Sequence, residues 1–174
     1  MATNVTMDDL LQRLKEFSVA MLTTITPAGY IHSRPMMTQE SEGDADLWFV
    51  SALDTEKIAE IRANPKIGVV YFRDRDNAYV SLSGDAQIRE DRQLIHDKWQ
   101  ESWRPWFPEG PDQQNICMIK VDAKEVEMWE PAGGYLRQRL EIARAYLTGD
   151  QAKVNPPIEA TIDQAKEPPE RRSA

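Results

Sequence analysis

The 174 residues comprise 41% hydrophobic and 29% charged residues, with a net charge of −8. That is enough chain for one well-filled core but little for two domains, and the acidic balance excludes nucleic acid and anionic membrane surfaces as natural partners. No apolar run has the length of a membrane span, no leader pattern opens the chain, and the single cysteine excludes an internal disulfide, so a cytoplasmic protein is expected.

Thr6-Met7-Asp8-Asp9 reads as a helix start, and Leu10, Leu11, Leu14 and Phe17 mark one face of a short amphipathic helix. Val19 to Thr26 is β-rich, Pro27-Ala28-Gly29 is a turn, and Tyr30 to Met37 extends again, which predicts a hairpin. On its second strand Ile31, Ser33, Pro35 and Met37 share one face, with His32, Arg34 and Met36 on the other. A polar loop, Gln39 to Ala45, follows.

Asp46 to Leu53 has the composition of a buried strand and breaks at Asp54-Thr55, residues that favour a helix N-cap. The helical pattern resumes at Lys57-Ile58-Ala59-Glu60-Ile61 and ends at Ala63-Asn64-Pro65. A strand feeding a helix N-terminus leaves backbone N–H groups that favour an anion, and Ser51, Thr55 and Lys57 add two hydroxyls and an ammonium there. An ordinary capped helix with a solvated lysine is the alternative reading of the same residues.

Lys66 to Arg73 and Ala78 to Ile88 are the next strands, joined by the turn Asp74-Arg75-Asp76-Asn77. The second is interrupted at Ser83-Gly84, where a glycine inside a strand marks a bulge or the close approach of a backbone or ligand. Glu90 to Trp99 reads as a helix. The loop Trp103-Arg104-Pro105-Trp106-Phe107-Pro108-Glu109-Gly110 concentrates aromatics where either binding or packing over a barrel end would use them. Asn115 to Val121 and Glu125 to Glu130 predict two further strands, and Cys117 within Ile116–Ile119 predicts a buried thiol. Leu136, Leu140, Ala143 and Leu147 draw a helical stripe that Gly149 should stop. From Asp150 to Ala174 two Pro-Pro pairs, mixed charges and no periodicity predict a disordered tail behind one domain over residues 1–149.

Many short strands and few helices imply a mainly β fold, a small barrel with peripheral helices. No dinucleotide or P-loop glycine pattern occurs, and two histidines are too few for a metal cluster or triad. The ordered set His32-Ser33-Arg34-Pro35-Met36, Trp48-Phe49-Val50-Ser51 with Thr55-Glu56-Lys57, and Val80-Ser81-Leu82-Ser83-Gly84-Asp85-Ala86 resembles the pyridoxamine 5′-phosphate oxidase-like FMN-binding split barrels. Trp103, Phe107-Pro108-Glu109-Gly110 and Trp129 narrow the likeness to their bacterial general stress protein branch.

The resemblance implies a six-stranded antiparallel split β-barrel, paired as a homodimer with one FMN in each of two clefts between subunits. Arg34, Ser51, Thr55 and Lys57 would hold the phosphate, while Pro35, Met36, Phe49 and Val50 would line the ring. Ser81, Leu82, Ser83 and Gly84, with Trp103 and Phe107, would approach from the partner. It implies an FMN-dependent oxidoreductase, with a non-catalytic flavin buffer or sensor as the alternative, and FAD, a deazaflavin or haem as alternative cofactors. Two departures stand out. Glu56 replaces one of a basic pair that the oxidases carry, and no R-x-H motif follows Gly133-Gly134-Tyr135, which argues against pyridoxamine phosphate oxidation.

Overall fold

The computed structural model describes residues 14–37, 39, 47–75, 77–129, 134–149, 151 and 158–161. Strands β1 (Val19–Ile25) and β2 (Ile31–Met37) form the expected hairpin, closed by a turn in which Gly29 takes φ +84°. Then come β3 (Leu47–Ala52), α1 (Glu56–Ala63), β4 (Lys66–Arg73), β5 (Ala78–Arg89) and α2 (Arg92–Lys98). β6 (Ile116–Trp129), α3 (Gly134–Thr148) and β7 (Ile158–Thr161) complete the order. The first predicted helix lies mostly outside the described residues, but its last two stripe positions, Leu14 and Phe17, are buried in the core.

All pairings are antiparallel, and the sheet runs β2-β1-β4-β5-β6-β3, the six-stranded split barrel expected from the resemblance. The strand alternation is strict. Ala20, Leu22 and Thr24 of β1, Ile67, Val69 and Tyr71 of β4, and Ala78, Val80 and Leu82 of β5 all point into one core. The opposite face of β3 and the start of β6 carries a second cluster, Trp48, Ile116 and Met118, covered by Ile95 of α2 and by Trp103 and Phe107. Placing apolar residues on both faces of β3 explains why its sequence reads as a continuous hydrophobic run rather than an alternating one.

Three expectations are corrected. The segments read as two strands near the end are one 14-residue β6. Its register against β5 shifts at Ser83/Gly84, so Ser83 faces Glu125, Gly84 faces Ala123, and Lys124 is the extra residue of a bulge. Gly84 is required there: a Cβ would lie 2.2 Å from the Asp122 carbonyl oxygen. In the tail, Ile158–Thr161 pair with Glu125–Met128 as β7, where the sequence offered no element. Finally, α3 ends at Gly149 as predicted, with φ +74° and its N–H bonded to the Ala145 carbonyl at 2.9 Å, but Leu140 and Leu147 of its stripe are exposed.

One surface is unusual for a lone chain. On the outer face of β1, β4 and β5, Val19, Met21, Val70, Phe72 and Tyr79 are 39–50% exposed and adjacent in register. Phe72 and Tyr79 stack at 4.8 Å. Clustered large apolar side chains on one sheet face mark an interaction surface.

Candidate functional site

The β3–α1 junction is held by backbone bonds that set its hydroxyls in place. Leu53 N–H reaches the Asn115 carbonyl at 2.7 Å, and Thr55 N–H reaches that of Ala52 at 3.3 Å. Thr55 takes the N-cap position of α1 with extended backbone, but its side chain does not cap the helix. Instead its hydroxyl donates to the Ala52 carbonyl at 2.8 Å, so the first turn of α1 carries no side-chain cap. Ser51 Oγ lies 3.3 Å from Thr55 Oγ1 and accepts from Lys57 Nζ at 3.3 Å. Partial burial, and then the nearby Arg34 charge, lower the Lys57 pKa. An anion against this ammonium would relieve both effects.

These groups line a cavity of about 590 Å³. Its walls come from three directions. β2 and the residues just after it give Pro35, Met36, Met37 and Gln39; β3 and α1 give Val50, Ser51, Ala52, Thr55 and Lys57; the loop after α2 gives Gln100, Ser102, Trp103, Trp106 and Phe107. Lys57 is the one titratable side chain among these described lining residues. The loop is shaped by two 3-10 turns, Glu101–Trp103 and Gly110–Asp112. Trp103 and Phe107 are buried in the second core, and Trp103 Nε1 donates to Gln39 Oε1 at 3.1 Å. Trp106, between them, is 66% exposed at the cavity wall.

Of the residues expected at the site, Pro35, Met36, Val50, Ser51, Thr55, Lys57, Trp103 and Phe107 converge on this cavity. Phe49 does not line it: it points to the opposite side of β3 and is fully buried in the main core. Arg34 is not among the lining residues either, although Met36 on the same face of β2 is, and its charge is near enough to Lys57 to lower that pKa. Its Nη1 donates to Thr24 Oγ1 at 2.5 Å and its Nη2 to Glu60 Oε2 at 2.6 Å. Ser81 and Ser83 lie on the outer face of β5, Leu82 is in the core, and Gly84 meets β6 backbone. None of these four lines the cavity of its own chain. Sequence reasoning missed Met37, Gln39, Ala52, Gln100, Ser102 and Trp106; of these Trp106 carried a signal, as one of several aromatics in an irregular loop.

Two buried groups near the junction are accounted for. Cys117 donates to the Ser51 carbonyl at 3.4 Å, and burial pushes its thiol up to about 11, the inert thiol expected. Glu60 accepts from Thr24 Oγ1 at 2.5 Å and meets His32 Nδ1 at 3.1 Å, besides its pair with Arg34. Burial favours the neutral acid, but the hydrogen bonds from Thr24, His32 and Arg34 outweigh it and hold the carboxyl at about 2. Because the folded value is depressed from 4.5, the stability that Glu60 contributes is fully present above pH 4.5 and is lost as pH falls towards 2. Acid unfolding of a Glu60→Gln variant should therefore show a shallower stability loss between pH 4.5 and 2 than the parent chain, measured by denaturant midpoint at each pH. An equal slope would remove Glu60 as an acid-sensitive group.

The family model described as pyridoxamine 5′-phosphate oxidase like matches residues 6–153. The chain belongs to the pyridoxamine 5′-phosphate oxidase-like family. Within that family it is similar to general stress protein 26 of Bacillus subtilis, 26% identical over 122 residues, covering 68% of this chain and 84% of that one. Among solved structures, one described as a general stress protein 26 from Jannaschia sp. superposes with a TM-score of 0.68 at 25% identity, over 87% of this chain and 95% of that one. A pyridoxamine 5′-phosphate oxidase-related, FMN binding protein from Nostoc punctiforme shares the fold, with a TM-score of 0.53 at 17% identity over 69% of this chain and 78% of that one. This pyridoxamine 5′-phosphate oxidase-like chain also has no helix, among its described residues, long and apolar enough to cross a membrane.

Proposed function

We propose that this chain binds FMN in the cavity beside the β3–α1 junction and works as a flavin-dependent oxidoreductase in a homodimer. The observation that carries the reading is the polarity of the cavity. The β3–α1 junction presents Lys57 Nζ, Ser51 Oγ and Thr55 Oγ1 at an uncapped helix start, and the remaining wall is mostly apolar and aromatic, with the uncharged Gln39, Gln100 and Ser102 among it. A phosphate suits the first and a planar ring the second. The fit is to a phosphorylated flavin. The name of the Nostoc punctiforme relative, which includes FMN binding, supports the same ligand.

When bound, the flavin supplies the electron and hydride chemistry, and the protein supplies orientation and electrostatics. Lys57 neutralises the phosphate and fixes its position. Met36, Val50, Trp103 and Phe107 exclude water from the ring-side wall. The absence of a carboxylate or histidine from the described lining favours reactions that need no protein proton donor in this chain. It favours equally the second reading, a flavin-binding protein that buffers or senses flavin without turnover.

The homodimer rests on the apolar outer face of β1, β4 and β5. A two-fold pair would cover that face and bring β5, with Ser81, Ser83 and Gly84, towards the partner's cavity. Phe72→Asp puts a charge into this patch at a position half exposed in the single chain. It is expected to weaken self-association at least tenfold in sedimentation equilibrium and to lower FMN affinity in step. A dimer of unchanged strength would move the interface elsewhere. The activity itself is tested by steady-state NAD(P)H oxidation with quinone and other acceptors: turnover that follows flavin occupancy supports the oxidoreductase, and none with any acceptor supports the buffer or sensor.

A further inference from the structure

The described turns of α3, from Leu140 to Thr148, carry their apolar side chains in the open. Leu140, Ala143 and Leu147 lie on one face of the helix, with Ile142 and Tyr146 on its flank, the layout of a helix that buries a broad stripe. Yet Leu140, Ile142, Tyr146 and Leu147 are 53–89% exposed. A helix of 15 residues draws most of its stability from packing such a face, not from propensity. Nor is α3 a loose end. It follows β6, and the chain then returns to pair Ile158–Thr161 with Met128–Glu125 of that same strand. It is an arm anchored at both ends.

The arm starts beside the other uncovered surface. Trp129 faces Tyr79 across β6 and β5, and Tyr79 faces Phe72 across β5 and β4, so β6 hands over to the arm at the end of an apolar row on the outer sheet face. Within one chain the two surfaces do not satisfy each other, since Phe72 and Tyr79 stay exposed together with the stripe. Charge matches them across copies. Three arginines against one glutamate give α3 a charge of +2, which leaves −10 on the rest of a chain that totals −8. Next to the apolar row the outer face carries the exposed Glu125 and Glu127, opposite Ser83 and Ser81. A basic, apolar helix thus complements an acidic, apolar sheet face, and the acidity of the whole chain disfavours an anionic membrane as the cover. Size points the same way. A stable interface takes roughly 800 Å² from each partner, and five half-exposed side chains on the sheet supply only part of that.

We propose that α3 is an exchanged arm: in a two-fold pair, the Leu140–Leu147 stripe of each chain docks on the outer sheet face of a second copy, along its row of Phe72, Tyr79 and Trp129. The proposal rests on the homodimer reading above and adds what holds the pair together. Two-fold symmetry closes the exchange, because each copy gives one arm and receives one.

The test compares neighbouring positions on different faces of α3. Sedimentation equilibrium gives the dimer dissociation constant of the parent chain, of Leu147→Glu and of Thr148→Glu, with far-ultraviolet circular dichroism recorded on each. Leu147→Glu should raise the constant at least tenfold and Thr148→Glu less than threefold. A Leu147→Glu dimer as tight as the parent overturns the proposal, as do equal losses in the two variants. Should Leu147→Glu lose helix, a crosslinking measurement decides instead. Tyr146→Cys is labelled with benzophenone maleimide, Cys117 being buried, and the dimer is irradiated. Products of twice the chain mass, crosslinked to residues 66–89 or 116–129, are expected. Crosslinks within one chain only, or from arm to arm only, overturn the proposal. Flotation of the full chain with phosphatidylserine vesicles should show no binding, and binding that Leu147→Glu abolishes overturns it in favour of a membrane. A parent chain that stays monomeric removes the homodimer reading itself, whereas a parent dimer that Leu147→Glu leaves intact removes only the arm.

Discussion

Lys57→Ala is expected to weaken FMN binding by roughly ten- to a hundredfold while leaving riboflavin nearly untouched. The ammonium lines the cavity beside the β3–α1 junction, 3.3 Å from Ser51 Oγ, and is the one charged side chain among the described residues lining it. A charge-assisted contact of this kind is worth about 1.5–3 kcal/mol, which converts to the stated range. Ser51 and Thr55 remain in the variant, so some phosphate affinity should persist. Titration of both ligands into both proteins measures the effect. Equal losses for FMN and riboflavin would assign Lys57 to the fold or to the ring.

The second large effect is on stability. Gly84→Ala puts a methyl group 2.2 Å from the Asp122 carbonyl oxygen and 3.1 Å from Ala123 Cα. Both obstacles are backbone of β6, held by β5 on one side and by β7 on part of the other, so the cross-strand contact cannot yield cheaply. Forcing extra volume into a filled position costs about 1–3 kcal/mol. For a chain of this size that lowers the melting temperature by roughly 2–4 °C for each kcal/mol. Gly68→Ala is the control, because its nearest neighbour, Thr23 Cβ, would stand at an ordinary 3.7 Å. A Gly84→Ala protein that melts with the parent would mean that the bulge relaxes freely.

Where local rules govern, the sequence was a good guide to the architecture. Pro27-Ala28-Gly29 forms a turn because glycine takes a left-handed backbone conformation there, and Gly149 ends α3 for the same reason. Ser83-Gly84 marked the bulge, although nothing local distinguished a neighbouring strand from a ligand as the cause. β6 was misread as two strands because Asp122, Ala123 and Lys124 look like a break. The bulge absorbs the extra residue and shifts the inward alternation from odd to even positions.

The site divides in the same way. Ser51, Thr55 and Lys57 meet because they lie within seven residues of one strand–helix junction, a spacing that the sequence carries directly. The partner of Arg34 is 26 residues away on another element, and no short pattern encodes that pairing. Trp103, Trp106 and Phe107 fall within five positions, yet two are buried and one is exposed. Which is which follows from how the 3-10 turn rotates the chain over β3, a tertiary fact. Phe49 and Val50 are neighbours, and strand alternation sends only Val50 to the cavity.

The most direct measurement is a titration of FMN with the purified full-length protein, followed by flavin fluorescence and by absorption of the complex. The account predicts saturable quenching at low micromolar affinity or better, at one flavin per chain, with riboflavin at least tenfold weaker. Unquenched fluorescence, with no flavin carried through gel filtration, would contradict it.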